Sequence, residues 1–214
     1  MQKINIATPF TIFIIGLAVA SLIFVWQSGI LAERFGELRA QKIKVEVLDT
    51  DPVLGVDSAP VTIIEFGDLE CPFCQKFSLE TLPEIVKNEI AQGRVRLVWK
   101  DFPLSTHARA EKAHEAARCA QDQGRFWEYH DLLYRNQRAL EISALKQYAT
   151  TLGLDQTLFD QCLDSGQYKG LITEGIAQGV AAGVRGTPSF LINGKLVVGA
   201  QPYEVFKKEI SNAL

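Results

Sequence analysis

Cys71-Pro72-Phe73-Cys74 sets two thiols three residues apart. On one helical turn such a pair can close a small disulfide ring, and a thiolate there is the species that attacks another disulfide. Pro72 suits the first turn of a helix, where its missing N–H has no partner to lose. A cysteine at that turn faces unpaired amides and the positive end of the helix dipole, both of which favour its ionised form. Taken alone, the motif also admits half a zinc site, which would need a second cysteine pair nearby. Cys119 and Cys162 are isolated and far apart, and a copper-delivery module would want a placed His or Met where the single Met is Met1. A second signal lies more than a hundred residues on, where Gly186-Thr187-Pro188 directly precedes a strand-turn-strand pattern. Proline is tolerated at the entry of a strand, and a Thr-Pro bond can be cis where the site demands it, a plain loop proline being the alternative.

The elements that must position these residues follow from pattern. Val61-Thr62-Ile63-Ile64-Glu65-Phe66 is a β-branched run that predicts a buried strand, followed by a turn over 67–70. A helix is predicted from Pro72 to about Ala91, and a strand over 94–99. Residues 105–182 read as wholly helical, opening on Ser105 as N-cap, with Gly124 and Gly153 closing segments and the last segment, 167–182, weakened by glycines. Two short strands, 189–192 and 195–198, flank Asn193-Gly194, a strong hairpin signal, and a helix over 203–212 closes the chain. The order is β-α-β, a helical block, then β-β-α. That predicts an α/β domain over 56–214 interrupted by an all-helical insertion at 105–182.

Ahead of it, no charged residue stands between Ile4 and Ala32. A membrane span needs about 20 apolar residues, so 1–28 is expected to be one N-terminal transmembrane helix. Lys3 keeps the short end inside, which places the domain outside the cytoplasm. A cleaved signal peptide ending near Ala18-Val19-Ala20 is the rival, and either exports the domain. Residues 29–55 read as spacer and linker. Net charge is −3 with no basic run, so nucleic acid is not an expected partner, and the protein is expected to be a monomer.

The segment Glu65-Phe66-Gly67-Asp68-Leu69-Glu70-Cys71-Pro72-Phe73-Cys74, the helical insertion and Gly186-Thr187-Pro188-Ser189-Phe190 together resemble a DsbA-like thiol-disulfide oxidoreductase of the thioredoxin superfamily. The resemblance runs from about Val53 to the C-terminus. It implies a thioredoxin fold in which Cys71 forms the mixed disulfide, Cys74 resolves it, and Thr187 and Pro188 hold the substrate peptide. Glu65 matches the acidic residue that such proteins place under the dithiol, an ordinary strand-edge carboxylate being the alternative. No cofactor beyond the disulfide is implied. The implied substrates are exported unfolded proteins, and the implied reoxidant is a DsbB-like or vitamin K epoxide reductase-like membrane partner. A reductase or isomerase on the same fold is the nearest rival, and a non-catalytic peptide- or metal-binding module a more distant one. In an oxidising compartment Cys119 and Cys162 are expected to form a structural disulfide, against two buried free thiols, and some DsbA-like proteins similarly carry a second bridge. His107, His114 and His130 are expected to be solvated or packed helix residues. Phe73 supplies none of the charge that a histidine between the cysteines gives strongly oxidising members. Glu65, Asp68 and Glu70 are expected to raise the Cys71 pKa, towards the top of the ~3.5–7.5 range of activated cysteines, DsbA included.

Overall fold

The β-branched run becomes β2 (Val61–Gly67), the middle strand of a five-stranded sheet. The structure is a computed structural model and describes residues 43–214. The apolar segment expected to cross the membrane therefore lies outside the described residues. Among those described, no helix is long and apolar enough to span a bilayer. β2 is flanked by β3 (Val95–Asp101), parallel to it, and by β4 (Ser189–Ile192), antiparallel. β1 (Val53–Leu54) and β5 (Lys195–Val198) close the two edges, giving the order β1-β3-β2-β4-β5.

Strand alternation sorts the core. Val61 and Ile63 face one side, where Phe77, Phe190 and Phe206 complete a cluster. Ile64 and Phe66 face the other, with Val98, Phe102 and Leu191. Helix α1 (residues 72–90) covers the first side but is not a uniform α-helix. Its α segments Pro72–Lys76 and Leu82–Ile85 alternate with π turns at Phe77–Thr81 and Val86–Ile90. Pro83 explains the first π turn: its ring would collide with a carbonyl one α-turn back, and the wider turn makes room. The Leu82 amide accordingly bonds to Phe77 O, five residues back.

The insertion forms α2 (Ala110–Gln121), α3 (Phe126–Arg135), α4 (Ile142–Thr151), α5 (Gln156–Ser165) and α6 (Lys169–Ala181), and α7 (Tyr203–Ala213) ends the chain. Five buried alanines, Ala110, Ala113, Ala116, Ala117 and Ala120, let α2 lie close to its neighbours. Asp155 caps α5 by accepting from Leu158 N at 3.0 Å, and Gly166 ends it in the left-handed region. The glycines that weaken α6 as an isolated helix are what seat it. A Cβ on Gly175 would come within 2.5 Å of Asp101 O, and one on Gly179 within 2.5 Å of the Phe102 ring.

Two expectations need correction. Part of the 29–55 linker is built into the domain, because Leu54 and Val53 pair with Leu97 and Val98, while Ile43, Val45 and Val47 pack on the Phe66 cluster. The first helix of the insertion starts at Ala110 rather than after Ser105. The intervening turn gives its amides to another loop, Leu104 N to Asp68 Oδ2 (2.8 Å) and Arg109 N to Glu70 Oε2 (2.7 Å).

Cys119 on α2 and Cys162 on α5 are joined by a disulfide that closes a 43-residue separation. On the chain-entropy model a loop of that length contributes about 4 kcal/mol. The double variant Cys119→Ala/Cys162→Ala is expected to lose stability of that order in urea titrations, with the helices of the insertion melting at lower denaturant than the sheet.

Candidate active site

β2 ends at Gly67 because nothing larger fits. A Cβ there would lie 2.3 Å from the Trp99 ring, so the chain runs directly across the indole into the turn that carries the dithiol. Cys71 is the N-cap of α1, extended at φ −77° and ψ 123°, with Pro72 in the first turn. Its amide donates to Asp68 O at 3.1 Å and its carbonyl accepts from Gln75 N at 3.0 Å. Both cysteines are free thiols, Cys71 3% and Cys74 0% exposed, while Phe73 between them is 63% exposed. The dithiol is therefore reached past a bare phenyl ring.

From the far end of the chain, the Thr187–Pro188 peptide bond is cis and faces Cys71. The Cys71 thiol lies 3.4 Å from Thr187 O. The loop is held by Ser189 Oγ donating to Gly186 O (2.6 Å) and Gly199 N donating to Pro188 O (2.8 Å). The buried Thr187 hydroxyl has no partner among the described residues.

The two sulfurs ionise very differently. A hydrogen bond from the Cys74 thiol brings the Cys71 pKa down to about 6; burial opposes it, and Thr187 and the amides of Cys74 and Phe73 add to it. Burial pushes Cys74 well above the ordinary thiol value, and the Cys71 and Glu65 charges push the same way. At neutral pH the pair is one thiolate and one more deeply buried thiol, the arrangement disulfide exchange uses.

Glu65 sits on the middle strand, between Trp99 and Phe190, and not at a strand edge. It is 1% exposed, Oε2 has no partner, and burial raises its pKa to about 8. It is therefore mostly a neutral acid at pH 7, and its charge bears on Cys74 only once it ionises above about pH 8. The value for Cys71 falls in the upper part of the expected range, but the carboxylates are not the reason. Asp68 is committed to Glu70 N, Leu104 N and His107 Nδ1, at 2.7, 2.8 and 2.7 Å. Glu70 is committed to Arg109 through its backbone amide, Nε and Nη2.

Sequence reasoning missed this clamp. Besides His107 and Arg109, Tyr134 Oη donates to Asp68 O (3.2 Å), and Gln137 Nε2 donates to both Leu69 O (3.1 Å) and Cys71 O (2.9 Å). All four come from the insertion, separated from the dithiol turn by a span that leaves no local pattern to read. His114 on α2 and His130 on α3 are packed helix residues, as expected. His107 lies on the turn before α2, and each histidine has an acidic neighbour: Asp68, Asp101 and Asp131 respectively. His114 accepts from Leu69 N and contacts Asp101, whose other oxygen binds Arg118. Burial opposes ionisation of Asp101, yet Arg118 and His114 hold its carboxyl well below the usual range. No cluster of three metal-ligating groups occurs among the described residues.

This sheet order, a helical insertion and a Cys-x-x-Cys dithiol facing a cis-proline define a thioredoxin-like fold of the DsbA-like type. The chain belongs to the Thioredoxin_4 family, described as Thioredoxin, whose model matches residues 48–212. It is 36% identical over 166 residues to "Na(+)/H(+) antiporter NhaA 3" of Salinispora tropica, covering 77% of this chain but 25% of that protein. The chain thus spans about a quarter of the length of the first curated relatives it matches. It is 30% identical over 176 residues to "Probable disulfide bond formation protein D" of Bacillus cereus, covering 77% of this chain and 79% of that one. Its fold matches the crystal structure of oxidised BdbD from Bacillus subtilis with a TM-score of 0.72 at 23% identity, over 81% of this chain and 98% of that chain.

Proposed function

We propose that the protein is a thiol-disulfide oxidoreductase that introduces disulfides into exported proteins. The observation that carries this reading is the asymmetry of the dithiol, a stabilised thiolate at Cys71 above a suppressed one at Cys74. A stable Cys71 thiolate favours the reduced enzyme, and an enzyme that prefers its dithiol gives its disulfide away. In the oxidised enzyme a substrate thiolate attacks Cys71 Sγ, breaking the Cys71–Cys74 bond and forming a mixed disulfide. Cys74 leaves as a thiolate and takes up a proton, for which Glu65 is the nearby buried acid. A second substrate thiolate then attacks its partner sulfur, and Cys71 departs as the thiolate its surroundings favour. Two electrons pass from substrate to enzyme. Thr187 and Pro188 flank Cys71 where an extended substrate segment would lie, and Cys119–Cys162 serves structure.

The probable disulfide bond formation protein among the relatives supports this reading. The apolar segment 1–28 supports a single membrane anchor, with the domain, 56–214 together with β1, on the extracytoplasmic side. Reoxidation then falls to a membrane partner of the DsbB-like or vitamin K epoxide reductase-like kind, and the protein works as a monomer without a bound cofactor. Incubating the oxidised protein with a reduced, unfolded protein whose native form carries a disulfide tests the proposal. The expected result is one substrate disulfide formed per enzyme in a single turnover, with weak reduction of insulin by the dithiol form. Efficient insulin reduction with no transfer of the disulfide would instead make it a reductase.

A further inference from the structure

His107 lies between the dithiol turn and open solvent. Its Nδ1 is 2.7 Å from Asp68 Oδ2, and its side chain is 23% exposed where that of Asp68 is 0%. It lines a cleft of about 520 Å³ together with Phe102, Leu104, Glu111 and Ile176. On the inner side, the amide of Asp68 donates to Cys74 Sγ at 3.4 Å, and the carbonyl of Asp68 accepts from Cys71 N. One residue thus touches both cysteines through its backbone and His107 through its carboxylate. We propose that His107 is a proton-linked positioning residue of the dithiol, whose imidazolium, held by Asp68, favours the Cys71 thiolate from outside the Cys-x-x-Cys motif and makes the redox equilibrium depend on pH.

This inference rests on the dithiol reading above. The charges around His107 allow it. Asp68, Glu70 and Cys71 face it from the dithiol turn, and Glu111 on α2 shares its cleft. Arg109, the nearest cation along its own segment, is spent on Glu70 and Glu141, and α6 brings only Ile176 to the cleft. Burial opposes protonation of His107, but Asp68, the Cys71 thiolate and Glu70 outweigh it and raise its pKa. Cys74 and Thr187 are the main groups that lower the Cys71 pKa, and the coupling to Cys71 is seen at the imidazole of His107. Reduction of the disulfide by a substrate dithiol places two electrons on sulfur and leaves a Cys71 thiolate and a Cys74 thiol. Glu65 passes its proton to Cys74 and is reprotonated from the substrate thiols or solvent, and His107 takes a further fraction of a proton from solvent.

Linkage makes the coupling reciprocal, so the imidazole must titrate higher when the thiolate is present. Histidine-labelled full-length protein in mild detergent, titrated by NMR in its disulfide and dithiol forms, reads this directly. The His107 pKa is expected to be higher in the dithiol form by at least about 0.5 unit. The equilibrium with glutathione gives the second reading. His107→Asn should shift it about three-fold towards the enzyme disulfide in the window where the Cys71 thiolate and the imidazolium coexist, and converge with wild type above the imidazole titration. His107→Lys should keep its offset from His107→Asn above the imidazole titration as well. Identical His107 titrations in the two forms, or an offset in His107→Asn that does not vary with pH, would overturn the inference. Failure of the protein to form or pass on its disulfide would instead defeat the dithiol reading itself.

Discussion

Cys71→Ser is expected to lower disulfide transfer by roughly three orders of magnitude or more, while Cys74→Ser should arrest the protein midway. The two losses differ because the two sulfurs differ. Cys71 is the sulfur poised at about pKa 6 at the start of α1, beside the cis peptide, and a serine hydroxyl there cannot ionise near neutral pH. Cys74 is fully buried beneath it, so its removal spares the attacking group and deletes the one that resolves the mixed disulfide. Cys74→Ser protein mixed with an oxidised substrate should accumulate a covalent adduct through Cys71, visible as a band on non-reducing gels that a reductant removes. Full disulfide transfer by Cys71→Ser would mean that Cys71 is not the sulfur a substrate attacks.

Glu65→Gln should make the protein more stable at neutral pH and slower in turnover. Burial without a partner for Oε2 raises the folded pKa to about 8 from the ordinary 4.5. The sign follows from proton binding. Between pH 4.5 and 8 the folded protein holds a proton that the unfolded chain has lost, so raising pH destabilises the fold across that window. At pH 7 the cost is on the order of 3 kcal/mol, at 1.36 kcal/mol per unit, and it vanishes below about pH 4.5. Urea titrations of wild type and Glu65→Gln should therefore diverge as pH rises from 4 to 8. Parallel curves would mean that Glu65 is solvated or paired. The same substitution removes the acid that protonates Cys74 as it leaves, so attack of the substrate thiolate on the Cys71–Cys74 disulfide should slow at neutral pH while release of Cys71 from the mixed disulfide is largely unchanged.

Local chemistry was legible where one short segment decides the conformation. Pro72 after Cys71 marked the helix start, and Asn193-Gly194, with φ of 44° and 87°, marked the hairpin. The β-branched run Val61-Thr62-Ile63-Ile64-Glu65-Phe66 marked a buried strand. What escaped notice depends on distant partners. β1 is two residues in a Pro- and Gly-rich stretch and exists because β3 has a free edge to pair with. Ser105 has the chemistry of a cap, yet Asp68 and Glu70 capture the neighbouring amides and delay the helix to Ala110. The carboxylates beside the dithiol suggested a suppressed thiolate because their partners, His107 and Arg109, lie 39 residues away along the chain. Gln137 carries no periodic or compositional mark, and only the folded insertion brings it to the carbonyls of Leu69 and Cys71.

The most direct test is the reduction potential of the Cys71–Cys74 pair, measured on the full chain in glutathione buffers. For this two-electron couple a tenfold change in the equilibrium constant is about 30 mV, fine enough to separate the readings. The favoured Cys71 thiolate predicts a value well above the roughly −270 mV of thioredoxin, the mark of a disulfide donor. A value at or below that of thioredoxin would contradict the oxidase account and turn the search towards an electron donor.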